Sequence, residues 1–183
     1  QDGEPGMSMS VKELRQFRDN LERLKGRAPE VMEEILIGEG TFAVRQARNI
    51  VTDKKKVNTG AYRYNFHTGT KAQPAHTSAR IHDGSKPRRQ GRTWVIDVYN
   101  NLDYASFLEM GFRSHFVPGH WEGNTFVYQR NDPEGGMYVG PWGGYVQGTW
   151  ALRTAMRRTE MTQKARIQRK FDRIIREELE KGL

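Results

Sequence analysis

The chain has 183 residues, no cysteine and a formal charge of +8, from 30 Lys and Arg against 22 Asp and Glu. A length of this order buries roughly two thirds of its unfolded surface in one domain without metal or disulfide support, and the missing cysteines exclude disulfides, thiolate metal sites and cysteine nucleophiles together. The cationic excess favours an acidic partner, nucleic acid or protein, while the longest aliphatic runs, Ile35-Leu36-Ile37 and Val95-Ile96, fall far short of the ~18 apolar residues of a membrane span, so a soluble protein is expected.

The opening QDGEPGMSMS is Gly/Pro/polar, and residues 1–9 read as a flexible end or a non-native remnant. Residues 10–183 are expected to form a single domain. Val11, Leu14, Phe17, Leu21 and Leu24 step by three or four, which puts them on one face of a first helix ending near Gly26. Pro29 suits the first turn of a second helix, carried by Val31, Ile35, Phe42, Ala43, Ala47, Ile50 and Val51 to about Asp53, with Gly38 and Gly40 marking a candidate bend. Alternation of Tyr62, Tyr64 and Phe66 with Arg63, Asn65 and His67 then predicts a half-buried strand.

A further strand is expected over 77–82, and RTWVIDVYN carries the strongest strand pattern, with Trp94, Ile96 and Val98 on one face. Between them, HDGSKPRRQGR reads as a hairpin tip, and from Lys71 to Arg92 six Lys/Arg stand against one Asp, a basic arm at about 71–92. VYNNLDYASFLEMGFRS follows. Tyr104, Phe107 and Leu108 recur at helical spacing, Asp103 can cap the free N–H groups, and Gly111 can supply the positive φ that ends a short helix, so the stretch reads as a folding corner that buries an aromatic face. HFVPGHWEGNTFVYQR predicts a hairpin turning at Glu-Gly-Asn, and NDPEGGMYVGPWGGYVQG, dense in Gly and Pro, predicts an irregular loop with aromatic anchors. The chain closes in an amphipathic helix from about Trp150 to Leu179, with nine Lys/Arg against two acids between Arg153 and Arg176.

Little in the chain points to chemistry. Asp103 and Glu109 are six residues apart and do not share a helical face, so a paired acid/base role has no geometric support; Glu109 is a candidate for an ion pair with an arginine, within the fold or across a subunit boundary. His115, His120 and Glu122 form the one zinc-like grouping, at a spacing that matches no helix-borne motif. GPWGGYVQG lacks the Lys-Ser/Thr ending of a phosphate loop. The basic arm and basic last helix could meet phosphate backbones, with Tyr and Trp to stack on bases, or could be solvated faces.

Three segments, in order, resemble the Hong Kong ninety-seven gene-ten-like tail-component family of long-tailed phages. KKVNTGAYRYNF echoes a P-V-D-T-G-x-L-R segment, with Asn58 in place of the acid and the Pro absent; VYNNLDYASFLEMG matches V-x-N-x-x-x-Y-A-x-F-x-E-x-G; GGYVQGTWALRTAM matches a G-G-x-V-x-G-x-x-x-L entry to the last helix. The resemblance spans most of residues 10–182. It implies an α+β fold, a small mainly antiparallel sheet packed by N-terminal and C-terminal helices, with no catalytic activity and no cofactor. It also implies a structural virion protein at the head-tail junction, a neck or tail-completion component made in the host cytoplasm, whose partners are other neck and tail proteins and further copies of itself in a ring.

A closed ring needs two different patches per subunit meeting head to tail. On that reading the corner over 104–111 and the loop over 137–145 are the candidate interfaces, carried by Tyr104, Phe107, Glu109, Met137, Trp142 and Tyr145, while Lys86, Arg88, Arg89 and Arg92 are candidates for contact with DNA or an acidic partner. The basic arm and the segment over 119–143 exceed the family's short forms. The alternatives are a basic nucleic-acid-binding module and, if His115, His120 and Glu122 converge, a metal-dependent hydrolase.

Overall fold

The computed structural model describes residues 11–55, 60–70, 80–132 and 135–181. Its architecture is α+β, with small antiparallel sheets flanked by N-terminal and C-terminal helices. Helix α1 (Val11–Gly26) is followed at once by α2 (Ala28–Asp53), which has Pro in its first turn, and α5 (Ala151–Leu179) closes the chain. Val31 and Ile35 near the start of α2 meet Ile174 near the end of α5, whereas Val44, Ala47, Ile50 and Val51 meet Ala151 and Ala155 at its start, so the two long helices run antiparallel. Alanines on the α5 side let the backbones approach closely.

Helix α2 runs unbroken through Gly38 and Gly40, where a bend was expected. Gly40 has a packing reason instead: an added Cβ would run into the Thr68 side chain, which lies flat on the helix. Thr68 belongs to β1 (Phe66–Gly69), buried along its whole length and paired antiparallel with β4 (Asp97–Asn100).

The strand predicted through Tyr62, Tyr64 and Phe66 is a correction. Residues Ala61–Tyr64 form a helical turn, α3, entered through Gly60 at φ 80°, and the chain becomes extended only at Phe66. Tyr62 and Phe66 are four residues apart and pack edge to face at 5.0 Å, both buried, so the apparent alternation is an i,i+4 pair. Residues 77–79 of the strand expected over 77–82 lie outside the described residues, as does 71–79 of the basic arm; the described half, 80–82, forms no strand and contributes a single bridge from His82 to Thr68.

The single strand expected in RTWVIDVYN divides at Ile96. Strand β3 (Thr93–Val95) makes a hairpin with β2 (Arg88–Gln90), while β4 turns to β1. The hairpin tip is therefore Gly91-Arg92, and Asp83-Gly84 does other work. The Asp83 carboxylate accepts bonds from the Thr70 and Ser85 N–H groups (3.0 and 2.8 Å), the Ser85 hydroxyl and the Tyr99 hydroxyl (2.8 Å). Burial alone would raise its pKa, but the Ser85, Tyr99 and Thr70 bonds outweigh that and hold it below the ordinary value.

After α4 (Ala105–Met110) come β5 (Gly111–Arg113), β6 (His115–Glu122) and β7 (Thr125–Tyr128), with the β6–β7 turn at the expected Glu-Gly-Asn. The irregular loop expected from 131 to 148 is the second correction. It contains β8 (Gly136–Val139), paired with β6, and β9 (Tyr145–Gln147), paired with β5. The three-stranded sheet has the order β7-β6-β8.

Candidate assembly surface

The corner at α4 is built around Glu109. The Leu108 and Glu109 carbonyls accept the N–H groups of Thr149 (2.8 Å) and Trp150 (2.9 Å), which lays the entry to α5 against the end of α4. Gly148 passes so close that an added Cβ would strike the Glu109 carbonyl, and Gly111, at φ 88°, has the Val146 carbonyl over it. Lys54, at the end of α2, donates to the Thr149 carbonyl (2.7 Å) and ties the second helix into the same junction.

The Glu109 side chain then caps α5. Its Oε2 accepts from the Leu152 N–H (3.1 Å) and its Oε1 from the Arg153 N–H (3.0 Å), two of the donors a helix N-terminus leaves without intrahelical partners. A carboxylate there also meets the positive end of the helix dipole. The Tyr62 hydroxyl donates to Oε2 as well (2.9 Å); burial, opposed by the Thr149 hydroxyl and reinforced by Glu109, raises its pKa, so the phenol stays protonated and keeps donating. Within the chain, the backbone N–H groups of Leu152 and Arg153 thus stand where an arginine side chain was expected. Asp103 does not cap α4, whose N-cap is Tyr104 with no side-chain bond; the Leu102 N–H goes to Asn100 Oδ1 instead (3.1 Å).

The aromatic face of the corner also departs from expectation. Leu102, Ala105 and Leu108 pack on the core, but Tyr104 and Phe107 turn outward and are 47% and 54% exposed. Tyr104 and Phe107 line a shallow hollow of about 240 Å³ whose other walls are Leu108, Phe112, His115 and Val139. Phe107 meets Phe112 at 6.2 Å, and Phe112 meets His115 at 5.8 Å.

This hollow joins the two predicted patches into one surface. Val139 pairs with His115 across β8 and β6, and the Tyr145 hydroxyl donates to the Met110 carbonyl. Trp142 is 79% exposed and rests on Tyr138 at 4.3 Å, which rests on Phe116 at 5.4 Å. Met137, half-buried beside Val117, points to the opposite face of the sheet from Tyr138. Sequence reasoning missed Phe112, Phe116, Trp121, Tyr128 and Tyr138. Their signal was alternation: Phe116 and Tyr138 pair on one face, Trp121 and Tyr128 belong to the other, and all four are at least half exposed. A second hollow, of about 590 Å³, lies behind the corner between β4, α4 and the first turns of α5, walled by Val98, Met110 and Met156 among others.

The four predicted cations separate. Lys86 pairs with Glu33 of α2 (3.4 Å) and Arg88 with Asp97 of β4 (2.8 Å), so both have acidic partners within the chain, while Arg89 and Arg92 project at the exposed β2–β3 tip. His115 and His120 stand at different points of β6: His115 Nδ1 faces the Arg113 carbonyl, and His120 lies between Asp132 (2.6 Å) and Glu122 (3.4 Å). Among the described residues no three metal-ligating side chains group as a cation site, and the convergence of His115, His120 and Glu122 that a metal hydrolase requires is not formed.

Comparison with protein-family models, with curated proteins and with solved structures finds no match for this chain.

Proposed function

We propose that the chain is a structural virion protein of a long-tailed phage or prophage, a neck or tail-completion component assembled as a ring at the head-tail junction. The observation that carries this reading is a pair of unlike apolar surfaces at opposite ends of α5. One is the aromatic surface of α4 and the β6 sheet beside the start of α5; the other is the apolar face of α1, of which Leu24 joins the small core under the end of α5 while Val11, Leu14 and Leu21 stay exposed. A helix of this length separates them by roughly 40 Å.

Two different patches at a distance are what a head-to-tail ring contact uses, whereas a two-fold dimer uses one patch twice. The order of the KKVNTG, VYNNLDYASFLEMG and GGYVQG segments supplies the phage context. Quantitative mass spectrometry of virions and separated tails from the source phage or induced prophage tests it. A fixed small number of copies, about six to twelve, retained with neck or tail is the expected result; absence from particles defeats the reading.

The second reading, a basic nucleic-acid-binding module, is favoured by Arg89 and Arg92 at the hairpin tip. It requires DNA affinity that falls steeply with salt and is lost on neutralising Arg88, Arg89 and Arg92.

A further inference from the structure

A groove of about 470 Å³ runs between α2 and α5 on their side remote from β1, lined at its apolar part by Ile35, Phe42 and Ile167. Five cations and a single acid, Glu39, join Gly38 and Thr41 in the rest of its lining. The acid is already consumed. Glu39 holds Arg166 through two bonds of 3.0 and 2.5 Å, and the same guanidinium lies 3.7 Å from the Phe42 ring centroid and donates to the Thr159 carbonyl (3.1 Å). Lys170 is likewise engaged, with the carbonyl and carboxylate of Glu34 at 2.8 and 3.2 Å.

That leaves three guanidinium groups around the groove. Arg45 of α2 and Arg169 of α5 are exposed and have no acidic partner among the described residues, and Arg173 has only a 3.9 Å contact with Glu177 in open solvent. Two helices thus present unneutralised cations across an apolar cleft. A nucleic-acid backbone would satisfy the cations and leave Phe42 and Ile167 wet; an apolar partner would fill the cleft and leave the cations unmatched. Carboxylates and aliphatic side chains on one strip of polypeptide satisfy both, since arginine forks match carboxylates in two-bond geometry and an amphipathic helix fits an apolar groove.

We propose that the α2–α5 groove docks an acidic amphipathic segment of another protein, whose carboxylates meet Arg45, Arg169 and Arg173 while its apolar side chains enter between Phe42 and Ile167. The groove uses none of the residues of the aromatic surface and none of the exposed Val11, Leu14 and Leu21 of α1, so this inference and the ring reading stand or fall separately.

The test uses the full chain and a fluorescently labelled synthetic helical peptide with Leu at positions three and four apart and Glu elsewhere. Two competitors accompany it, a peptide of equal charge with Ser for Leu and a short DNA duplex. The Glu/Leu peptide is expected to bind saturably and about tenfold or more tighter than the Glu/Ser peptide. Arg45→Glu with Arg169→Glu should weaken it by about tenfold or more, and Arg130→Glu with Arg157→Glu, the same charge change at two exposed positions outside the groove, should leave it within about twofold. Both reversal sites are exposed; circular dichroism verifies folding, and the Gln variants repeat the test if a reversal unfolds the chain. Equal loss from both charge reversals, equal binding of the Ser peptide, displacement by DNA at equal charge concentration, or absence of saturable binding would each overturn the proposal.

Discussion

The body around α2, α5, β1 and β4 and the sheet β7-β6-β8 handle their large side chains in opposite ways. In the body, Phe66, Val44, Val51 and Tyr62 are buried at the start of α5, and at its far end Asn20, fully buried, gives its amide protons to the Leu179 and Lys181 carbonyls (3.0 Å each) and accepts from Gln16 and Arg23. In the sheet, Phe116, Trp121, Tyr128 and Tyr138 stay at least half exposed on both faces. A two-faced sheet left wet by its own chain contributes little to folding and much to association. On the proposed ring reading, the body makes the subunit and the sheet is where a neighbour would complete it.

The largest expected effect is at the junction that binds the two regions together. Gly148→Ala would drive a Cβ into the backbone of Glu109, Met110 and Gly111, atoms that cannot swing aside as a side chain would, and should cost about 3 kcal/mol. Urea unfolding should show the midpoint falling with the slope unchanged. A wild-type midpoint would mean that the junction yields and that α4 is not fixed to the α5 entry.

Next comes the cap itself. Glu109→Ala frees the Leu152 and Arg153 donors and takes an acceptor from Tyr62, so roughly 2 kcal/mol should be lost. Glu109→Gln keeps one carbonyl acceptor and should lose about 1 kcal/mol. At the other end of α5, Asn20→Ala removes the donor shared by Leu179 and Lys181 and should cost about 1–2 kcal/mol, with faster hydrogen exchange in the last turns of α5. Equal fraying at both ends in either variant would show that the caps act on the fold as a whole and not on their own ends of the helix.

These two caps mark the boundary of what sequence periodicity could reach. The three long helices were legible because their apolar residues repeat at three and four over many turns, and the β6–β7 hairpin because Glu-Gly-Asn interrupts an alternating run. Glu109 lies 43 residues before Leu152, and no local pattern announces a cap delivered from that distance. Strand β8 was hidden by its glycine: Gly136 in MYV's leading position reads as loop, yet an added Cβ there would collide with the Phe116 ring that covers it from β6. The outward turn of Tyr104 and Phe107 was equally invisible, because helical spacing identifies a stripe and not the side it faces.

For the sheet, the comparison predicts the reverse dissociation. Trp142→Ala removes a ring that is mostly in water, so stability should stay within about 0.5 kcal/mol of the parent chain. Assembly, read by native mass spectrometry of the chain with its particle partners, should fail or weaken. Loss of stability with assembly intact would move Trp142 into the body's account and remove it from the proposed interface.

The smallest effect concerns a titrating contact at the edge of this sheet, that of His120. His120 on β6 is bonded to Asp132, at 2.6 Å, and faces Glu122 at 3.4 Å, and these two carboxylates, Asp132 first, raise the imidazole pKa above its ordinary value. A pKa higher in the folded than in the unfolded chain means that the folded state binds the proton more tightly. The contribution is therefore complete below the unfolded value, about 6.5, and is lost as pH rises through the higher folded value. The stability difference between the parent chain and His120→Gln should shrink as pH is raised from below that range, with added salt shrinking it further. A difference that grows with pH would mean that neutral His120 is the form the fold prefers, and the tie between β6 and the segment after β7 would then rest on packing alone.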